Sequence, residues 1–203
     1  MDSLNTAIRV AQMAGYRILF EKVRRGCPGF QNAGPILAHM LRDDDTHLFI
    51  AADDVIFPPD VIVRLVNDDK DVVAGIYRKN VPLRIEPANC TATGDEFVEK
   101  FRKGGLHETE YAAGHSMTIK REVIEKMIAD YPELAYEDFG TKEIHYALFM
   151  PMIVDRKCYQ DDWSFSIRAK KSGFKLWDDY SCRLKHYCCE FLGFEALEAA
   201  NGG

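Results

Sequence analysis

Apolar and polar positions along the chain follow two periods, one helical and one strand-like. Leu4, Ala7, Ile8 and Ala11 fall on one face of a helix that Gly15 stops. Ile18-Leu19-Phe20 has the character of a buried strand. Asn32 is placed to cap a second helix, with Pro35 in its first turn and Ile36, Leu37, Met40 and Leu41 on its apolar face. Arg42-Asp43-Asp44-Asp45 ends that helix as a solvated turn, because three carboxylates oppose its dipole. His47 to Ala51 is a strong apolar strand running into Asp53-Asp54. Pro59 opens a helix bearing Val61, Ile62, Leu65 and Val66. Val72 to Tyr77 is a continuous apolar run of the kind buried on both faces of parallel sheets.

From Val81 to about His107 the pattern is irregular. A short strand through Tyr111 meets Gly114, and a helix carrying Val123, Ile124, Met127 and Ile128 follows. Residues 136–155 show no assignable period. Asp161 opens a helix that ends near Gly173, and Phe174–Trp177 and Ser181–His186 form two short strands. Strands alternating with helices predict an α/β fold, a doubly wound and mostly parallel central sheet with helices on both faces.

The 203 residues, 47% hydrophobic and 29% charged, suit one domain with a full core. No linker-like stretch and no internal repeat divides them. The formal net charge of −6 excludes general nucleic-acid binding, since no basic stripe is present to replace phosphate counterions. The N-terminus lacks the apolar core of a signal peptide, and no run approaches the roughly 20 apolar residues of a membrane span. A cytoplasmic protein is expected. Its cysteines, Cys27, Cys90, Cys158, Cys182, Cys188 and Cys189, contain no CxxC pair and are expected to be reduced and mostly buried.

Ligands of open parallel sheets sit beyond the carboxyl ends of the strands, where Asp53 and Asp54 fall. Adjacent carboxylates there can ligate a hard divalent cation together with substrate phosphates, or one of them can simply cap the next helix. Asp161 and Asp162 form a second pair at a helix start, where the dipole favours their charge and where capping alone would also explain them. Gly173-Phe174-Lys175-Leu176-Trp177-Asp178-Asp179 and then His186 complete an ordered series.

That series resembles glycosyltransferases of the GT-A fold, particularly family 2-like enzymes of bacteria, phages and large viruses. Leu48–Pro59 is similar to their strand-end DxD segment, with Ala52 in place of the first Asp. Val72–Lys79 is similar to the strand that follows, Ala112–Arg121 to the acceptor-side loop, and Asp161-Asp162 to the Glu-Asp pair, with His186 in the place of the late metal-binding histidine. The resemblance spans roughly residues 1–190. It implies a single Rossmann-like domain over 1–203, a sheet lacking the family's usual first strand, and a tail at 190–203. It further implies Mn²⁺ or Mg²⁺ on Asp54 and His186, donor contacts from Asp53, Arg78 and Lys79, and acceptor contacts from Asp161, Gly114 and Trp163. Asp162 would be the base of an inverting sugar transfer from a nucleotide-sugar donor to a glycan, protein or modified-base acceptor. Trp163 and Trp177 could stack on a sugar or serve as core packing. The alternatives are a catalytically degenerate relative that binds a glycan or partner, and a nucleotidyltransferase. For the latter, Arg24–Gly29 makes a poor phosphate loop.

Overall fold

The computed structural model describes residues 2–19, 29–78, 94–187 and 191–192. Lys79, the tail beyond Leu192, Phe20 and the cysteines Cys27, Cys90, Cys188 and Cys189 lie outside the described residues. The chain opens with α1 (Asp2–Met13), then α2 (Gly29–Arg42), β1 (His47–Ala51), β2 (Val55–Ile56), α3 (Val61–Asn67) and β3 (Val72–Ile76). After these come α4 (Gly94–Lys103), β4 (Leu106–Thr109), β5 (Ser116–Lys120) and α5 (Arg121–Asp130). Two hairpins follow, β6 (Ala135–Glu137) with β7 (Ile144–Tyr146) and β8 (Met152–Val154) with β9 (Lys157–Tyr159). The chain then forms α6 (Asp161–Lys171), β10 (Leu176–Arg183), β11 (Lys185–Tyr187) and β12 (Phe191–Leu192).

Among the described residues the central sheet has five strands in the order β1-β5-β3-β10-β4. Only β3 and β10 pair in parallel; β1–β5, β5–β3 and β10–β4 are antiparallel. The expected mostly parallel, doubly wound sheet is therefore corrected to a mixed, mainly antiparallel one. The physical reason is β5. This strand enters antiparallel between β1 and β3, which run in the same direction but never pair. The strand expected at Ile18-Leu19-Phe20 is also corrected: Ile18 and Leu19 belong to no strand, and Phe20 lies outside the described residues. The second helix begins at Gly29, so Asn32 does not start it and Pro35 lies in its interior.

Side chains alternate across the sheet with the strand period of two. Val72, Ala74, Met117, Ile119 and Leu176 face Leu37 and Met40 of α2, Val123, Ile124 and Met127 of α5, and Phe165 and Ala169 of α6. The other face carries Val73, Tyr77, Cys182 and Leu184 against Ala7 and Ala11 of α1 and Val61, Ile62 and Leu65 of α3. Helix α4 packs Phe97 and Phe101 on Ile76 and Tyr180. The Arg42–Asp45 turn is more than a solvated stop. The Arg121 guanidinium donates to the carbonyls of Met40, Leu41 and Asp43, capping α2, while Arg17 pairs with Asp44 and Asp45. Of the described thiols, Cys182 is buried and Cys158 is exposed.

One carboxylate in this framework is poorly accommodated. Asp68 ends α3, and its Oδ2 is buried without a hydrogen-bond partner among the described residues. Burial, then repulsion from buried Asp179, lifts its pKa from 3.8 to about 6, against the weaker pull of Arg64 and Lys70. The folded state thus holds this proton more tightly than the unfolded chain. The group's contribution to stability is full below about pH 4 and is lost as pH rises through about 6. Asp68→Asn mimics the protonated form, so the variant should be more stable than the parent at pH 7 and equal to it near pH 3.5. Urea unfolding at the two pH values checks this, and equal midpoints at pH 7 would contradict it.

Candidate metal centre

Two backbone ladders bring distant residues to Asp54. Asp54 occupies the turn between β1 and β2. The β1–β5 register continues one step past the strands, with the Ala52 amide donating to the His115 carbonyl at 3.1 Å. This fixes His115 beside the turn. On the other side β11 pairs with β2, His186 opposite Val55, and the Tyr187 amide donates to the Asp54 carbonyl at 2.7 Å. As a result His186 Nε2 stands 3.3 Å from Asp54 Oδ2, and His115 Nε2 stands 3.6 Å from Asp54 Oδ1. One ligand atom from each of the three residues lies within 4.8 Å of the others.

Tyr77 organises this group from below. Its hydroxyl is 2.7 Å from His115 Nδ1, its ring lies 4.4 Å from the His115 ring, and the His186 ring packs edge-on at 5.1 Å. A metal-ligating imidazole is commonly held through its second nitrogen in this way, which aims the other nitrogen at the ion. Burial is the main cause that lowers the His115 pKa, favouring the neutral ring a metal needs; Asp54 and Asp161 oppose it. Burial, with the nearby Asp162, Asp54, Asp161 and Asp178 charges, raises the Tyr77 pKa and keeps its phenol protonated.

The Asp54 side chain is 41% exposed, yet its Oδ1 is buried and has no hydrogen-bond partner among the described residues. A carboxylate with one imidazole near each oxygen, and one of those oxygens buried without a hydrogen bond, fits an ion better than it fits the protein alone. A second group that could hold a metal, His39, Asp43 and Asp45, lies on the surface at the end of α2. There His39 pairs with Asp43 at 3.0 Å and Asp45 with Arg17 at 3.1 Å, so those oxygens have partners.

The pair at the start of α6 lies alongside. Asp162 Oδ2 accepts from the Gly114 amide at 3.2 Å and Oδ1 from the Trp163 amide at 2.8 Å, while Asp161 Oδ1 accepts from the Asp162 amide at 3.0 Å. Ser166 extends the tie, accepting from the Ala112 amide and donating to the Asp162 carbonyl. Burial, the leading cause, raises the Asp162 pKa although the Gly114 and Trp163 amides counter it. Gly114 is closely approached: a Cβ there would meet Asp162 Cβ at 3.3 Å. Trp163 stacks flat on Tyr111, centroids 4.3 Å apart and planes 9° apart, with Tyr159 beside both.

The structure therefore joins Asp54 to His186, and Asp161, Asp162, Gly114 and Trp163 to one another. Asp53 is exposed, and Arg78 is half-buried just after Tyr77. Trp177 sits elsewhere, in the apolar cluster under α1 and α3, with Lys70 over its ring at 4.9 Å. Sequence reasoning missed His115 and Tyr77. Both fall inside the segments singled out for other reasons, but a lone histidine and a strand-end tyrosine carry no spacing signal.

Fold and site define a mixed-sheet α/β domain with an Asp-His-His cluster at one end of the sheet. No family model matches the chain, and no curated protein is similar to it. Among solved structures, the chain is similar to A197 from STIV, with a TM-score of 0.50 and 15% identity over 90% of this chain and 78% of that one. At that identity the likeness is one of fold. The resemblance to GT-A glycosyltransferases is accordingly corrected. Its short motifs bring no family match, and three of the four central pairings are antiparallel. With it fall the sugar-transfer function, the enzyme assignment and the nucleotide-sugar chemistry that rested on it. Among the described residues, no helix is long and apolar enough to cross a membrane.

Tyr77→Phe isolates the orienting bond. Loss of an outer-shell partner typically weakens metal affinity about tenfold to a hundredfold, and that is the expected change in calorimetry with Zn²⁺. Unchanged affinity would show that Tyr77 serves only the core.

Proposed function

We propose that the chain is a metal-dependent binding module, holding a divalent first-row transition ion on Asp54, His115 and His186 and taking a glycan-like, polyhydroxylated ligand beside it. The observation that carries this reading is the Asp54 carboxylate between two imidazoles, its Oδ2 3.3 Å from His186 and its Oδ1, buried and without a hydrogen bond among the described residues, 3.6 Å from His115. Two nitrogens and one carboxylate suit ions from Mn²⁺ to Zn²⁺. Mg²⁺ prefers an oxygen shell and keeps its waters. Of the two ions expected from sequence, the donor set supports Mn²⁺ over Mg²⁺.

The ligand class rests on the neighbouring groups. Carboxylate oxygens can accept from ligand hydroxyls in addition to the backbone amides that Asp161 and Asp162 already accept from, and the Tyr111–Trp163 stack offers an aromatic edge beside them. This is the binding alternative, and it requires no transfer step. Thermal shift with Mn²⁺, Zn²⁺ and Mg²⁺ tests the ion. At 100 times its dissociation constant a ligand adds about 2.7 kcal/mol of stability, a rise of several degrees for Mn²⁺ or Zn²⁺ and little for Mg²⁺. A glycan panel probed with and without a chelator tests the ligand. No shift with any transition ion would overturn the metal assignment, and chelator-independent glycan binding would separate the two parts.

A further inference from the structure

Asp54, His115 and His186 offer an ion three donors from the protein, and no other His, Cys, Asp or Glu among the described residues joins them. A structural zinc site closes its shell with four protein ligands. A site of two imidazoles and one carboxylate instead keeps a position for water or substrate. The ion's charge makes a water held there more acidic and polarises a carbonyl brought beside it.

A carboxylate able to take the proton of such a water lies next to this centre. Asp162 Oδ2 accepts at 3.2 Å from the amide of Gly114, the residue before His115, and Asp161 Oδ1 accepts from the Asp162 amide at 3.0 Å. The two aspartates differ in what they have left to offer. Both Asp162 oxygens are taken by backbone amides, Gly114 on Oδ2 and Trp163 on Oδ1. Asp161 is half-buried, and its Oδ2 accepts no hydrogen bond among the described residues. Its charge acts on both His115 and Tyr77.

We propose that this site hydrolyses a carboxylic ester carried on a polyhydroxylated ligand, with Asp161 as the base that takes the proton of the attacking water. The inference rests on the metal and ligand readings above and adds a reaction to them. The water oxygen bonds to the ester carbonyl carbon as its proton moves to Asp161 Oδ2. The acyl carbon–oxygen bond then breaks, and its electron pair leaves with the alcohol oxygen, which takes the proton back from Asp161. A carboxylic acid and a free hydroxyl are released, and nothing but water is consumed. Charge favours a neutral acyl group over a phosphate ester. Asp54, Asp161 and Asp162 bring three carboxylates to one divalent ion, so an anionic substrate meets repulsion. The ester follows from the ligand class, because acylating a hydroxyl gives one.

The test uses the whole chain loaded with Zn²⁺, with para-nitrophenyl acetate and glucose pentaacetate as substrates and para-nitrophenyl phosphate as the anionic control. Ester cleavage should follow Zn²⁺ occupancy and vanish in a chelator, with acetate released from the sugar seen by NMR and the phosphate ester left intact. Asp161→Asn keeps an acceptor for the Asp162 amide. It should lower the ester rate by about a hundredfold or more, with melting temperature and Zn²⁺ affinity unchanged, and Asp161→Glu should restore part of that loss. Acetohydroxamic acid, a neutral mimic of the acyl group, should bind the Zn²⁺ form in calorimetry and not the chelated chain, a readout independent of turnover. If Zn²⁺ does not bind, the metal reading fails and this inference with it. The inference alone is overturned if Zn²⁺ binds but neither ester is cleaved, or if the hydroxamate does not bind. Cleavage by Asp161→Asn at the parent rate, or of the phosphate ester as fast as the acetate, also overturns it.

Discussion

Asp54→Asn should lose at least about a hundredfold in affinity for Mn²⁺ and Zn²⁺, more than an outer-shell change removes, while the metal-free fold is as stable as the parent. The two halves of this expectation have one cause. In the absence of an ion, Asp54 Oδ1 is a buried acceptor with no hydrogen bond among the described residues, and Oδ2 has only the long 3.3 Å contact to His186, which an amide oxygen can keep. Asn keeps the shape and removes the charge, so the protein alone has little to lose. The ion loses the one anionic ligand of the Asp-His-His set. Calorimetry reads the affinity and thermal melting in a chelator reads the fold. Retained affinity with intact melting would rule out this centre and turn attention to His39, Asp43 and Asp45. His115→Ala should also weaken binding, but by less, since a neutral imidazole brings less charge to the ion.

Much of the fold was legible because its helices are long enough to show a period. The apolar faces of α1, α3 and α5 fall at residues that are buried or partly buried in the core, and α6 falls at the place its start signal gives. What escaped was β5. Ser116-Met117-Thr118-Ile119-Lys120 alternates, but it passes into α5 at Arg121 with no intervening turn, and the N-cap residue Lys120 supplies no side-chain cap. With β5 unseen, β1 and β3 looked like neighbours, and their common direction suggested a parallel sheet. The hairpins of residues 135–159 escaped for another reason. Their strands have three residues each, too few for a period, and the second turns through Asp155 and Arg156, both at positive φ without a glycine to announce it.

The site was legible in its halves but not as a whole. Asp54 stood out because it ends a strand, and His186 because it ends another. That they meet depends on β2 and β11, of which β2 has only two residues. His115 joins them through a register that no local pattern encodes. Asp162 was singled out for chemistry, and its described bonds are to backbone amides of Gly114 and Trp163. It fastens the loop before β5 to the start of α6, so a carboxylate pair at a helix start carried structural information that sequence alone could not separate from function.

Arg168→Met should be the most destabilising single change among those considered, lowering stability by about 2–4 kcal/mol and the melting temperature by about 5–15 °C. Arg168 lies on α6 with only 5% of its surface exposed. Its guanidinium donates to the Leu148 carbonyl at 2.8 Å and the Met150 carbonyl at 2.7 Å, and burial lowers its pKa against the pull of Tyr131 and Glu133. The two carbonyls belong to the irregular stretch between β7 and β8, which has little other backbone pairing to hold it against α6. Methionine fills the same space and removes the buried charge, which by itself is favourable. It also leaves two carbonyls without their donor, and each orphaned group costs about 1–3 kcal/mol. The second effect outweighs the first because the stretch must either remain dry and unbonded or open to water, taking Leu148 and Phe149 out of the core. Arg168→Lys should recover only part of the loss, since both bonds come from the one terminal nitrogen Nη1 and a lysine side chain is an atom too short to put its ammonium there. Urea unfolding of the three proteins decides the matter. A methionine variant within 0.5 kcal/mol of the parent, the usual span for neutral surface changes, would mean that these bonds do not hold the stretch in place.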